Sequence, residues 1–384
     1  MTVTVAKGFV AAGVAAGLKK NGNKDVALVV NQGPRTSAAA VFTTNRCLAN
    51  PVLWSKQAIA DGEIAAIVLN SGGANCYTGP EGFQTTHATA EKVGELLEVS
   101  AGDVLVCSTG LIGDQLDRPK LLSGVTAAAA GLAADNGSAA AEAIMTTDSV
   151  SKTANRFSPN GWAIGGMAKG AGMLAPGLAT MLVVITTDAD LPSHVLDAAL
   201  RNATRVTFDR LDSDGCMSTN DTVALMASGA SAVVPTAAEF QQLLTEVCHD
   251  LAQQLLTDAE GSTHDVEIAV TGAATETDAV EVGRVVARNN LFKAAVYGND
   301  ANWGRILAAV GTAKAEFDPY NIDVSINGVS VSRLGQPDQP RDLVDMTPRK
   351  VVIGINLNSG DHSATIYTND LTHAYVTENS EYSS

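Results

Sequence analysis

The residues best placed to do chemistry lie in one stretch, Met167-Ala-Lys-Gly-Ala-Gly-Met-Leu-Ala-Pro-Gly-Leu-Ala-Thr180. Lys169 stands eleven residues before Thr180, with three glycines and Pro176 between them. That composition predicts a tight, irregular turn, and the apolar residues Thr180 to Thr187 predict a buried strand that begins at once. A threonine hydroxyl held in a strained turn can attack the carbonyl of the residue before it, here Ala179. An N-to-O acyl shift and hydrolysis would then expose a threonine α-amine. Its reference pKa of roughly 7.7–8.0 lets it serve as general base for its own hydroxyl, so nucleophile and base share one residue and no histidine is required. A plainer reading competes: Thr180 merely starts a strand, as β-branched residues do, and the glycines make a loop.

Other chemistries find no anchor. No GxxxxGK[ST] phosphate loop and no GxSxG elbow occur. Gly170-Ala-Gly-Met-Leu-Ala175 mimics a dinucleotide fingerprint, but it is read as preceding a strand, with Pro176 where a helix should open. The six histidines form no HxxxH or HExxH pair, so no metal site is expected. Five cysteines, widely spaced and without CxxC, fit a reducing cytoplasm better than a disulfide scaffold. Cys76 and Cys107 are read as small buried side chains. No signal-peptide pattern and no apolar run of membrane-spanning length is seen, so a cytoplasmic protein is expected.

The elements that must position this stretch follow from periodicity. Val26–Asn31, Ala38–Thr44, Ile64–Asn70, Val104–Ser108, Val266–Gly272, Ile322–Ile326 and Val351–Leu357 read as strands. Glu81–Val99, Leu121–Met145, Leu191–Asn202, Glu239–Asp258 and Glu276–Asn289 read as helices, and Gly335–Arg341 as an exposed loop. The mixture makes the class α/β or α+β. A length of 384 residues allows two or three domains or one large unit, and 46% hydrophobic residues support a sizeable core. With 25 basic and 41 acidic residues the formal charge is −16, and no basic run points to nucleic acid or an anionic membrane.

The stretch ending in Thr180 resembles the self-processing site of the ornithine acetyltransferases of arginine biosynthesis, also called glutamate N-acetyltransferases, the ArgJ family. The likeness runs the whole length. Gly8-Phe-Val-Ala-Ala-Gly13 and Val41-Phe-Thr-Thr-Asn45 match the family's opening, and Asn70-Ser-Gly-Gly-Ala-Asn75 and Cys107-Ser-Thr-Gly-Leu-Ile-Gly113 follow. Met145-Thr-Thr-Asp148, Ser218-Thr-Asn-Asp-Thr222 and Asn302-Trp-Gly-Arg305 keep the order, as do Thr368-Asn-Asp-Leu-Thr372, Tyr375, Asn379 and Tyr382.

What the resemblance implies is specific. The family moves an acetyl group from N-acetylornithine to glutamate by a ping-pong route, and some members also use acetyl-CoA; no other cofactor is implied. Thr180 would be the nucleophile, and Ala179–Thr180 the bond cut, giving an α chain of residues 1–179 and a β chain of residues 180–384. The two chains would stay together, commonly as α2β2. Thr109 and Gly110 match the oxyanion-hole pair. Lys169, Thr147, Glu260, Asn379 and Ser384 match substrate-binding positions, with Thr146 and Thr147 not distinguished. Lys169 would steer an amino-acid carboxylate, and Glu260 the cationic side chain of ornithine. Without the family, Lys169 and Glu260 would be read as solvated loop residues. The implied fold is an α-β-β-α sandwich resembling N-terminal-nucleophile enzymes, with a smaller α/β domain towards the C-terminus. A self-processing amidohydrolase or aminopeptidase on the same scaffold, and an unprocessed binding protein, are the competing functions.

Overall fold

Short apolar runs bounded by glycine, asparagine and aspartate become strands in this chain, and many are buried on both faces. The computed structural model describes residues 2–175 and 181–381. Ala179, Thr180 and Ser384 therefore lie outside the described residues. The chain divides into two compact units.

The larger unit comprises Met1–Met173, Gly177–Asp209 and Cys216–Leu255. Its strands are β1 (Phe9–Val14), β2 (Val26–Asn31), β3 (Ala38–Phe42), β4 (Ala66–Asn70), β5 (Val104–Ser108), β6 (Lys152–Phe157), β7 (Ala163–Lys169), β8 (Leu182–Thr187) and β9 (Thr222–Ala227). One sheet has the order β1-β2-β4-β5, the other β3-β9-β8-β7-β6. The helices are α1 (Asn50–Ala58), α2 (Gly79–Leu97), α3 (Arg118–Ala130), α4 (Gly137–Ala143), α5 (Ser193–Val206) and α6 (Ala237–Thr257).

Val29, Ile67 and Leu105 of the first sheet meet Met167, Val184 and Ala224 of the second in one core. Val68 and Val106 face the other way and pack on Val93 of α2 and Leu121 and Val125 of α3. On the far side, α5 lies against β3, and Val247 and Leu251 of α6 stand over Gly166 of β7. The layers thus read α-β-β-α, as the family resemblance implied. Leu244, Val247, Leu251 and Leu255 of α6 are fully buried, each contributing about 1.5–3 kcal/mol by leaving water.

The smaller unit comprises Leu174–Pro176, Arg210–Gly215 and Leu256–Ser384. Its strands are β10 (Asp265–Ala273), β11 (Asp323–Ile326), β12 (Val329–Arg333), β13 (Gln336–Pro337), β14 (Lys350–Asn356) and β15 (His362–Asn369), in the order β13-β12-β11-β14-β10-β15. Its helices are α7 (Glu276–Ala287), α8 (Asn290–Tyr297), α9 (Trp303–Val310) and α10 (His373–Glu381). Val282 and Val286 of α7 close the core over Ile268, Val270 and Ile366.

Three expectations need correction. The helix expected over Leu121–Met145 is two helices, α3 and α4. Gly131 ends the first, and the Asn136 amide donates to the Gly131 carbonyl at 2.8 Å, closing the turn between them. Lys169 is not the solvated loop residue that it would be read as without the family; it is the last residue of β7 and 2% exposed. The segment Gly170–Ala175 therefore follows a strand, yet it opens no helix, so the dinucleotide reading fails on that ground alone.

Candidate active site

The register of the second sheet fixes the entry to β8. Lys169 pairs with Leu182, and Leu182 pairs with Thr222. The first residue of this strand entry, Met181, is held twice. Its carbonyl accepts from Thr222 N at 3.1 Å, and its N–H donates to Asp221 Oδ1 at 3.1 Å. That N–H belongs to the peptide joining Thr180 to Met181.

Lys169 is the hub of the neighbouring polar groups. Its ammonium donates to the Thr146 hydroxyl at 2.7 Å and to the Thr109 hydroxyl at 3.4 Å, and lies 3.8 Å from Asp148 Oδ2. Asp148 also accepts from Lys152 Nζ at 2.7 Å, Gly170 N at 2.6 Å and Thr146 N at 2.9 Å. Burial works to raise the Asp148 pKa. Lys169, Lys152 and the hydrogen bonds from Lys152 and Gly170 outweigh it and hold the carboxyl at about 2. Asp148 thus bonds or pairs with two buried lysines, Lys152 and Lys169. The sequence left Thr146 and Thr147 undistinguished; it is Thr146 that bonds Lys169, whereas Thr147 is exposed.

Thr109 and Gly110 follow the end of β5. The Thr109 N–H is taken by the Asn70 carbonyl at 3.0 Å, so it is not available to a reacting oxygen. The Thr109 hydroxyl, accepting from Lys169, keeps its own proton to donate. Among the described residues no carbonyl takes the Gly110 N–H. Gly110 has φ +130°, and a Cβ there would stand 2.8 Å from Gly73 Cα, so only glycine fits the turn against Gly72-Gly73. Asn220 locks the same corner, donating to the Ala74 and Ser108 carbonyls at 2.6 and 2.8 Å. A hydroxyl and a backbone N–H, both able to donate, make this a candidate oxyanion hole.

In the smaller unit the turn after α6 carries Glu260, half-buried, and Asn379 of α10 donates to Glu260 Oε2 at 2.9 Å. Gly261 makes this contact possible. At φ +61° it lets the start of α10 approach so closely that a Cβ would meet Tyr375 N at 2.3 Å, and its carbonyl accepts from the Thr372 hydroxyl at 2.7 Å. Glu260 lines a pocket with Lys293, Arg288, Asp214 and Tyr375. Burial, together with the charges of Glu260 and Asp258, raises the Glu378 carboxyl, so this corner favours a cation. In the same pocket, burial brings Lys293 down to about 8, against the pull of Asp214, Asp212 and Asp370.

The structure brings Lys169, Thr109 and Thr146 together in one unit, and Glu260 and Asn379 together in the other. Cys76 and Cys107 are buried, and burial pushes the Cys107 thiol up to about 12, which excludes it as a nucleophile at neutral pH. Among the described residues no group of three or more His, Cys, Asp or Glu side chains comes together to hold a metal ion. Sequence reading quoted Asp148, Asn220 and Asp221 within their motifs but gave them no role. Each is an acid or amide next to a strand boundary in a glycine- and threonine-rich stretch, a signal that such a side chain holds backbone.

The profile described as the ArgJ family matches residues 10–384. The chain is 62% identical over 384 residues, all of both chains, to the arginine biosynthesis bifunctional protein ArgJ of Streptomyces avermitilis. It is 60% identical over 383 residues, again the full length of both, to the protein of that name from Thermobifida fusca. Among solved structures, it is similar to the ornithine acetyltransferase of Mycobacterium tuberculosis complexed with ornithine, at 50% identity and TM-score 0.45 over 47% of this chain and 96% of that one.

Proposed function

The chain belongs to the ArgJ family, and from that premise we propose that it moves an acetyl group from N-acetylornithine to glutamate through an acetyl ester on Thr180, after cutting its own Ala179–Thr180 bond. It is an arginine-biosynthesis enzyme of that family. The observation that carries the reading is local. Lys169, paired across the sheet with Leu182, holds the Thr109 hydroxyl next to the Gly110 N–H, and Leu182 is two residues past Thr180.

Self-cleavage begins when Thr180 Oγ attacks the Ala179 carbonyl carbon. The C–N bond breaks, the nitrogen takes the hydroxyl proton, and water hydrolyses the resulting ester. Residues 1–179 leave with a carboxylate and residues 180–384 begin with a free amine. In the acetylation half-reaction that amine takes the Oγ proton as Oγ attacks the acetyl carbonyl, then passes it to the departing ornithine nitrogen. Glutamate nitrogen next attacks the ester carbonyl, its proton passes by way of the Thr180 amine to the departing Oγ, and N-acetylglutamate leaves with the Thr180 hydroxyl restored. Each step passes through a tetrahedral oxyanion, for which the Thr109 hydroxyl and Gly110 N–H are the donors.

The substrate-binding residues carried over from the family are Lys169, Thr147, Glu260, Asn379 and Ser384, with Lys169 suited to a carboxylate and Glu260, bonded by Asn379, to an ammonium. The α and β chains remain associated and pair as α2β2 in the cytoplasm. Acetyl-CoA would acylate the same hydroxyl as a second donor.

Intact mass spectrometry tests the reading directly. Wild-type protein should give two chains meeting at 179/180, and acetylornithine alone should add one acetyl group to the chain that begins at Thr180. Glutamate should remove it as N-acetylglutamate. Loss of the acetyl group to water with no N-acetylglutamate would instead support an amidohydrolase, and a single intact active chain would overturn the mechanism.

A further inference from the structure

Asp221 is a buried carboxylic acid that the reaction scheme above does not use. It is 0% exposed. Its backbone carbonyl accepts from Thr43 N at 3.0 Å, so the residue is fixed between β3 and β9. Its Oδ1 accepts from Met181 N at 3.1 Å, while Oδ2 has no hydrogen-bond partner among the described residues. A buried carboxyl oxygen left unpaired is costly, and such groups concentrate where a site needs them.

The position explains the use. Met181 O is bonded to Thr222 N, the edge of the parallel ladder between β8 and β9. At the next peptide towards the N-terminus the ladder has ended, and the Asp221 side chain takes over as acceptor. The peptide it holds is the one whose carbonyl carbon belongs to Thr180. On the reading that Thr180 is the nucleophile, we propose that Asp221 is its positioning residue: Oδ1 clamps the Thr180–Met181 peptide and so fixes the backbone from which the attacking hydroxyl projects.

The protonation state sharpens this role. Burial pushes the Asp221 carboxyl well above the ordinary carboxylate range, against the opposing influence of the Met181 N–H, the nearby Ser218 hydroxyl and the charge of Lys169 on β7; Asp209, after α5, raises it further. A carboxyl shifted in this direction takes up a proton more readily than an ordinary one, and Oδ2, without a partner among the described residues, is the oxygen left to carry it. The role proposed for Asp221 rests on Oδ1 as a fixed acceptor. An asparagine, neutral and of the same shape, keeps that acceptor.

The test compares full-length wild type, T180A, D221N and D221A by extent of self-cleavage, thermal midpoint, and kcat and KM for acetylornithine across the neutral pH range. D221N should cleave and transfer acetyl within about threefold of wild type with an unchanged pH profile. D221A should lose about 100-fold in cleavage rate and kcat, the scale of a misplaced nucleophile, with KM within about threefold. If D221A does not fold, Asp221→Glu, which displaces the acid by one methylene, replaces it with the same expectation. Wild-type cleavage and kcat in the displaced or truncated variant would overturn the proposal, as would a D221N as impaired as D221A with a shifted pH profile. Activity surviving in T180A would instead defeat the nucleophile reading, whatever Asp221 does.

Discussion

The Lys169 ammonium donates to the Thr109 hydroxyl across 3.4 Å, and this one contact orients both groups. With its lone pair turned to a cation, the hydroxyl presents its proton away from Lys169, which is what an oxyanion donor must do. The lysine cannot be exchanged for a solvated one, because it is 2% exposed and also held by Thr146 and Asp148.

Thr109→Val should isolate the donor. Valine keeps the β-branched shape and the backbone N–H that Asn70 occupies, and removes only the hydroxyl. Loss of one oxyanion donor is expected to lower kcat by about 10²–10³-fold while KM stays within about threefold. Self-cleavage should slow in parallel, since the proposed mechanism assigns the same hole to both tetrahedral species. Steady-state kinetics and timed intact mass spectra check both, and an unchanged kcat would remove Thr109 from the chemistry.

Lys169→Met should weaken capture and, by releasing the Thr109 hydroxyl, lower kcat as well. Methionine fills the same space without the charge, so Asp148 would keep Lys152 but lose its second cation. A charge-assisted hydrogen bond to a substrate carboxylate contributes about 1.5–3 kcal/mol, so KM for acetylornithine should rise at least about tenfold. Wild-type KM and kcat in this variant would count against the carboxylate role.

Asp148 links the site to acid stability. Its folded pKa of about 2 lies below the ordinary aspartate value of 3.8. A depressed carboxylate contributes stability that is fully present above the unfolded pKa and is lost as pH falls through the folded one. The window is therefore pH 4 down to pH 2, and the contribution on the order of 2 kcal/mol. Asp148→Asn should lower the thermal midpoint at neutral pH, because it removes the carboxylate that pairs with both Lys152 and Lys169, and should flatten the acid limb in that window. A midpoint that falls in parallel with wild type from pH 4 to 2 would refute the assignment.

Much of this was legible before any coordinates. Val26–Asn31 and Val104–Ser108 were found to the residue, because unbroken apolar runs between turn residues allow little else. The strands β1 and β7 escaped notice. Alanine and glycine fill them where two sheets close on each other, and a Cβ at Gly165 would stand 2.3 Å from the Thr2 carbonyl. Small residues carry little periodic signal, so burial had to come from the partner layer. The same reason hid the depth of Lys169: its strand reads as a loop, and a loop lysine reads as solvated. The pairs Lys169–Thr146 and Glu260–Asn379 join residues 23 and 119 positions apart, which no local pattern reveals.

Glu260→Gln should split the two half-reactions. The carboxylate sits with Asp258 and Glu378 in a corner that favours a cation, and Asn379 fixes its orientation. Acetylornithine brings a side-chain ammonium, whereas glutamate brings a second carboxylate. Removing the negative charge should therefore weaken the first substrate and not the second. In single-turnover experiments the acetylation half-reaction should need about tenfold more acetylornithine to saturate, the scale of one charge-assisted hydrogen bond. Deacetylation by glutamate should saturate at the wild-type concentration or below it. Glutamine still offers Asn379 an acceptor, so α10 should stay docked and the thermal midpoint should hold. An equal loss in both half-reactions would mean that Glu260 shapes the pocket without reading the charge of the substrate.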